Sequence, residues 1–174
     1  MSPGGVVLAG WLVIAACSPS VPPLSGPRRG EAAPGPSDAD QSLAYDILRW
    51  AQVERLRAGV PPLVWSEKLA LAARRHSEEM VRLHYFAHDS PVAEHRTVMM
   101  RAKLAGLDGS SLFVGENLAK GNWPRERARR LVEAWMRSPG HRANLLRAEF
   151  QHTGIGLGWD GAWIIASQVF SASP

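Results

Sequence analysis

The chain has one cysteine in 174 residues, Cys17, and 3 lysines against 17 arginines. A single cysteine excludes an intramolecular disulfide, so no disulfide framework reports the redox compartment. No Lys or Arg precedes Arg28. The longest apolar run, Val6 to Ala16, has the length of a secretory h-region and is too short to span a bilayer reliably. The His-Glu-x-x-His helix of zinc proteases, the Gly-x-Ser-x-Gly nucleophile elbow, a phosphate-binding glycine loop and internal repeats are all missing. Basic and aromatic residues do not interleave in a patch that would read nucleic acid. The net charge of +4 and pI near 9.8 would favour an anionic partner such as phospholipid head groups, acidic cell-wall polymer or nucleic acid, but Arg125 to Arg130 read better as the solvated face of one helix.

The 45% apolar content is enough for the core of one ordinary domain. The run Ile14-Ala15-Ala16-Cys17 is similar to a bacterial lipoprotein signal, in which cleavage leaves a lipidated N-terminal cysteine. Residues 1–17 are therefore read as a signal peptide ending at that cysteine. Its positive charge is supplied by the amino terminus alone, or the natural start lies upstream of Met1. Residues 18–40, rich in Pro, Ser, Gly and Ala, hold only Val21 and Leu24 as large aliphatics and read as a flexible tether. The folded domain is placed at 41–174.

Within it, Leu43, Ile47, Trp50 and Ala51 share a helix face that ends at Gly59 before Pro61-Pro62. Ser66 can cap a second helix striped by Leu69, Ala73, His76, Met80 and Leu83. A third helix is expected over Thr97 to Leu104. A fourth should run from Pro124 to Arg137 with Ala128, Leu131, Val132 and Trp135 facing inward. Ser138-Pro139 then restarts a short helix carrying His141 and Asn144. Ile155, Leu157 and Trp159 alternate up to the Asp160-Gly161 hairpin signal, and Ala162 to Phe170 reads as the returning strand. A third strand is placed near Leu112 to Glu116. Helices followed by an antiparallel hairpin give an α+β class.

Three segments carry chemistry: Phe86-Ala87-His88-Asp89-Ser90, Gly115-Glu116-Asn117, and Trp135 through Ser138-Pro139-Gly140-His141. Two imidazoles and a carboxylate are the ligand types of an open zinc site, and also groups that do acid and base work near neutral pH. Taken singly, His88 in a turn could bond only to backbone, Glu116 could be a solvated carboxylate, and His141 could cap backbone. His76 reads as a hydrogen-bonded core residue. His95 and His152 fall in loops without a nameable partner.

Together with Leu63-Val64-Trp65-Ser66 and Gly154-Ile155-Gly156-Leu157-Gly158, these segments resemble, in order, the signatures of the CAP superfamily (cysteine-rich secretory, antigen 5 and pathogenesis-related 1 proteins, or SCP domains) in its cysteine-poor bacterial form. The resemblance runs from about Leu43 to Phe170. It implies a three-layer α-β-α sandwich with a small central antiparallel sheet. It also implies a cleft in which His88 and His141 hold a divalent metal such as zinc, with Glu116 beside them and Asn117, Ser138 and Asn144 supporting. The family's second glutamate is replaced by Ser138, which argues against carboxylate-pair glycoside hydrolysis. Two functions stand: an exported, lipid-anchored or secreted module binding an envelope polymer, lipid or protein, and a metal- or His-dependent hydrolase of peptide, ester or cell-wall bonds. A monomer is expected, with the membrane reached through Cys17 and no nucleic-acid partner.

Overall fold

The computed structural model describes residues 36–108 and 113–172. Cys17, the signal segment and most of the tether lie outside these residues. Helix α1 spans Asp38–Arg57 and so begins inside the segment read as tether. The Ser37 side chain accepts from Asp40 N–H as its N-cap, and two aspartates in the first turn complement the helix dipole. Strand β1 is Val64–Trp65, helix α2 Glu67–Arg82, helix α3 Val98–Leu104 and strand β2 Val114–Gly121. Helix α4 spans Arg127–Arg137, α5 Pro139–Leu145, and strands β3 and β4 His152–Asp160 and Trp163–Ser171.

The fold is α+β, with helices on both faces of a four-stranded sheet ordered β1-β3-β4-β2. The sheet is mixed rather than purely antiparallel, because β1 pairs in parallel with β3. Two residues after Pro61-Pro62 are too few to show alternation, so this strand left no periodic signal. Strand β2 also runs farther than expected, pairing with β4 from Val114 to Gly121 straight through Gly115-Glu116-Asn117. Helix α4 starts at Arg127 and not at Pro124, since Glu126 is in the left-handed region at φ 51° and breaks the helical path there.

One sheet face packs Ile155, Leu157, Ile164, Ala166 and Phe170 against Ile47 and Ala51 of α1 and Leu131 and Trp135 of α4. Trp135 is fully buried, and its indole N–H donates to Leu118 O at 3.0 Å. Buried Arg55 ties α1 to the end of α5 by donating to the carbonyls of Pro61, Leu145, Arg147 and Phe150. The other face receives α2. There Gly154, Gly156 and Gly158 alternate with Ile155 and Leu157, and a Cβ at any of them would collide with α2 backbone at Ala70, Arg74 or Ser77. The strand is thus buried on both sides, one face by aliphatic side chains and the other by a helix lying directly on its backbone.

Gly156→Ala is expected to destabilise toward the upper end of the about 1–3 kcal/mol typical of overpacking, because backbone cannot swing aside. Gly140→Ala, at a helical position with open space around its Cα, should be neutral or stabilise by up to about 1 kcal/mol. Trp135→Ala should cost about 3–5 kcal/mol. Denaturant melts of the three variants check this ranking; a Gly156→Ala protein as stable as wild type would contradict the helix-on-strand contact.

Candidate functional site

Strand β2 is an edge strand, and its alternation sends Glu116 toward the α2 layer and Asn117 toward α5. Residues of both helical layers can therefore meet over that edge. On the α2 side, the chain leaves Arg82 through Leu83 and a left-handed His84 (φ 55°) and delivers His88 over Glu116. The His88 Nδ1–H donates to Glu116 Oε2 at 3.0 Å. An ionised carboxylate only accepts, so this bond places the proton on Nδ1 and leaves Nε2 with a free lone pair. On the other side, Asn117 Nδ2 donates to His141 O at 3.0 Å, while Asn144 Nδ2 donates to Glu116 O at 3.2 Å and Asn117 Oδ1 at 3.1 Å. These bonds seat α5 against the strand and bring His141 to a ring-centroid distance of 6.3 Å from His88.

The structure thus brings His88, His141, Glu116, Asn117 and Asn144 together, though not with equal exposure. The His88 side chain is 57% exposed, whereas Glu116 is buried beneath it and is not an open cleft carboxylate. Burial follows from the length of β2: Glu116 sits inside the strand and not at its end. Ser138 is the N-cap residue of α5 but makes no side-chain cap bond. It serves the α4–α5 junction through backbone, with its N–H donating to Trp135 O at 3.1 Å and its carbonyl accepting from Arg142 N–H at 2.8 Å.

Glu116 is fully engaged. Its Oε1 accepts from Arg101 at 2.8 Å and from the Ser167 hydroxyl at 3.1 Å, and its Oε2 accepts from His88. Burial pushes the carboxyl up, but the His88 hydrogen bond and the Arg101 guanidinium outweigh it and hold Glu116 below the usual glutamate range. The bond to Glu116 raises the His88 imidazole against the effect of its partial burial. Burial lowers His141, with His88 adding to the shift. Buried His76 lies below both, with Nε2–H donating to Ala87 O at 3.1 Å, and burial lowers it too. It is the hydrogen-bonded core histidine that its place on the apolar stripe suggested.

Several residues escaped the sequence reading. Arg101 is buried on α3 and donates to His88 O at 3.0 Å and Arg96 O at 2.7 Å as well as to Glu116, so one guanidinium fixes both the His88 loop and the carboxylate. His95, left without a partner above, donates from Nε2 to Glu79 Oε1 at 2.7 Å. Glu79 is buried and also accepts from the Tyr85 hydroxyl at 2.8 Å, which with burial pushes Tyr85 up to about 12. The i to i+3 spacing of His76 and Glu79 was the only trace of this network in the sequence.

A family model for the cysteine-rich secretory protein family (CAP) matches residues 49–170. Over 115 residues the chain is 37% identical to the uncharacterized protein YkwD of Bacillus subtilis (strain 168), covering 65% of this chain and 42% of that one. It is 32% identical over 111 residues to the uncharacterized membrane protein YlbC of the same organism, covering 64% and 30%. The chain therefore spans less than half the length of these curated relatives. Among solved structures, an extracellular protein containing an SCP domain from Bacillus anthracis str. Ames superposes with a TM-score of 0.62 at 27% identity, over 80% of this chain and 44% of that one. An outer surface protein of Borrelia burgdorferi shares the fold, with a TM-score of 0.63 at 18% identity, over 79% and 95%.

His88 and His141 should titrate apart. As pH rises, His141 should lose its proton below the free-histidine value and His88 above it, which NMR of the ring protons reads directly. Since the His88 pKa is raised on folding, its contribution to stability is full below the unfolded histidine value and is lost as pH rises through the folded one. The Glu116 contribution has the opposite sign: it is present above the unfolded glutamate value and lost as pH falls through the folded one. Glu116→Gln should bring the His88 midpoint down; an unmoved midpoint would refute the pairing.

Proposed function

The chain belongs to the cysteine-rich secretory protein (CAP) family, and we propose that it is an exported interaction module whose binding surface is the His88–His141 cleft, with the two imidazoles able to hold a divalent ion such as zinc. The observation that carries this reading is the saturation of Glu116. With both oxygens committed to Arg101, Ser167 and His88, Glu116 is an orienter and not a free acid or base. The extracellular SCP-domain protein of B. anthracis supports export by analogy. The described residues include no helix long and apolar enough to cross a membrane. Attachment through lipid on Cys17 rests on the likeness of Ile14-Ala15-Ala16-Cys17 to a lipoprotein signal, and the partner class is an envelope polymer, lipid or protein.

The donor chemistry suits a metal in one respect: a carboxylate-held imidazole with Nε2 free is the common orientation of a ligating histidine. Among the described residues no group of three or more His, Cys, Asp or Glu converges as a metal cage. His88 and His141 would therefore hold the ion together with solvent or with a group from the partner. A bound ion would supply Lewis acidity to whatever oxygen or nitrogen the partner presents. Glu116 fixes the His88 tautomer, Arg101 fixes Glu116, and Asn117 and Asn144 fix the helix bearing His141.

A hydrolase reading draws on one feature, since His88 backed by a buried carboxylate has the form of a base and its orienter. Ser90, two residues on, does not supply the nucleophile: it is buried and its hydroxyl accepts from Val92 N–H at 3.0 Å. Turnover of a peptide or ester abolished by His88→Ala would establish the hydrolase and displace the binding module.

Zinc titration by calorimetry should show one saturable site in wild type, lost in His88→Ala and His141→Ala and weakened about 10- to 100-fold in Glu116→Gln. Binding should fade as pH falls through the histidine range, because both ligands must be neutral. Alanine variants that bind as wild type would end the metal reading. Separately, Cys17→Ser should move the protein from the membrane to the soluble fraction, since acyl anchoring rests on about 0.8 kcal/mol per buried CH₂. Unchanged fractionation, with no lipid mass on the N-terminal peptide, would end the anchor reading.

A further inference from the structure

Behind the cleft, on the outer side of α2, lies a hollow of about 370 Å³ between α2 and α3, with Ala72, Arg75, Glu78, Arg82, His95 and Leu104 in its lining. None of the cleft residues His88, Glu116 and His141 takes part in it. Its size is at the small end of ligand sites. We propose that this hollow is a second binding site, which takes the free carboxylate end of a short peptide with small apolar side chains. The proposal rests on the reading of this protein as an interaction module and is independent of metal in the cleft.

The first support is charge that the fold leaves uncommitted. Glu78 is paired with Arg74 at 2.9 Å, and Arg101, which also lines the hollow, is paired with Glu116 at 2.8 Å. Glu79 is consumed by His95 and Tyr85, and Arg82 stands 3.7 Å from it with its side chain 67% exposed. Arg75 makes no ion pair or hydrogen bond with any described residue. Two guanidinium forks seven residues apart on α2 thus face the hollow with donors to spare. A planar fork matches a carboxylate in two parallel bonds.

The second support is a buried orphan. Arg101 is 4% exposed, and its Nε has no hydrogen-bond partner among the described residues. A buried unpaired donor is costly and calls for an acceptor. The third is the order of chemistry along the wall. Ala72 and Leu104 offer apolar contact, and Leu104 is 61% exposed and wants cover. The Glu78 oxygen not taken by Arg74 can accept an N–H. A carboxylate, a small apolar side chain and an adjacent N–H in succession describe the last residue of a peptide. His95, aimed by buried Glu79, adds a fixed imidazole at the rim. A bare anion would leave Glu78 and the apolar wall unused, and a purely apolar ligand would leave the two arginines unused.

Calorimetry with the full chain, using N-acetyl-alanyl-alanine, its C-terminal amide and inorganic phosphate as probes, tests this. The free acid should bind at one site per chain, with the amide and phosphate weaker by about tenfold or more. Arg75→Gln and Arg82→Gln, both exposed changes that leave the core intact, should each weaken the acid by about tenfold. His88→Ala and His141→Ala should bind it as wild type. Amide as tight as acid, phosphate as tight as acid, wild-type affinity in both arginine variants, or no binding by the folded wild-type chain would each overturn the proposal. Loss of peptide binding in His88→Ala would also overturn it, by placing the peptide in the cleft. Failure of zinc binding would leave it standing.

Discussion

The contact on which the rest of this molecule depends is the bare approach of α2 to β3. A helix packed on a sheet ordinarily keeps a layer of side chains between the two backbones. Here the three glycines of Gly154-Ile155-Gly156-Leu157-Gly158 remove that layer on one face, while Ile155 and Leu157 keep it on the other. The Ser77 hydroxyl reaches the strand itself, donating to Gly156 O at 3.0 Å. Once α2 is pinned in this way, its polar residues are pinned too. His76 and Glu79 become buried floor, the Tyr85 turn is drawn over Glu79, and the chain from Ala87 to Ser90 is carried to the edge of the sheet with His88 at its crest.

The polar interior so created works for position more than for stability. A buried ion pair such as Arg101–Glu116 recovers in attraction about what desolvation costs, and removing one partner alone is severe, at about 3–5 kcal/mol. Its effect is geometric. Arg101 ties together a carbonyl of the His88 loop, a carbonyl before α3 and the Glu116 carboxylate, so three segments distant in sequence share one planar group. Glu116 in turn sets the proton on His88. The imidazole that meets solvent is thus specified from below it, by a carboxylate and a guanidinium that are themselves buried.

The legibility of this architecture in the sequence followed its periodicity. The α2 stripe from Leu69 to Met80 and the α4 face of Leu131, Val132 and Trp135 repeat at helical spacing and lie where that spacing put them, and Ser66 caps α2 as expected; Leu83 falls past the end of α2 and is exposed, and the hairpin turn falls one residue later than expected, on Gly161-Ala162 with Asp160 paired to Trp163. Features fixed by tertiary contact had no such trace. β1 is two residues long and exists because β3 lies beside it. Arg101 reads in sequence as one more arginine of an exposed short helix; only folding sets it beside a carboxylate fifteen positions away. The glycines of β3 were legible as a family mark, yet as isolated residues in a strand they signal weakness or a bulge. The reason for them, a helix backbone at touching distance, belongs to the other partner of the contact.

The edge position of β2 has a further consequence. An uncovered edge strand presents unpaired backbone groups to any passing strand, including that of another copy, and natural sheets guard such edges. In this chain the guards are side chains: Asn144 occupies the outward carbonyl of Glu116 and the Trp135 indole that of Leu118. The residues that seat the α4–α5 corner therefore also guard this edge against self-templating. Loosening that corner to move His141 would, by the same stroke, unlatch a template for aggregation, so solubility limits how far the α4–α5 corner can change.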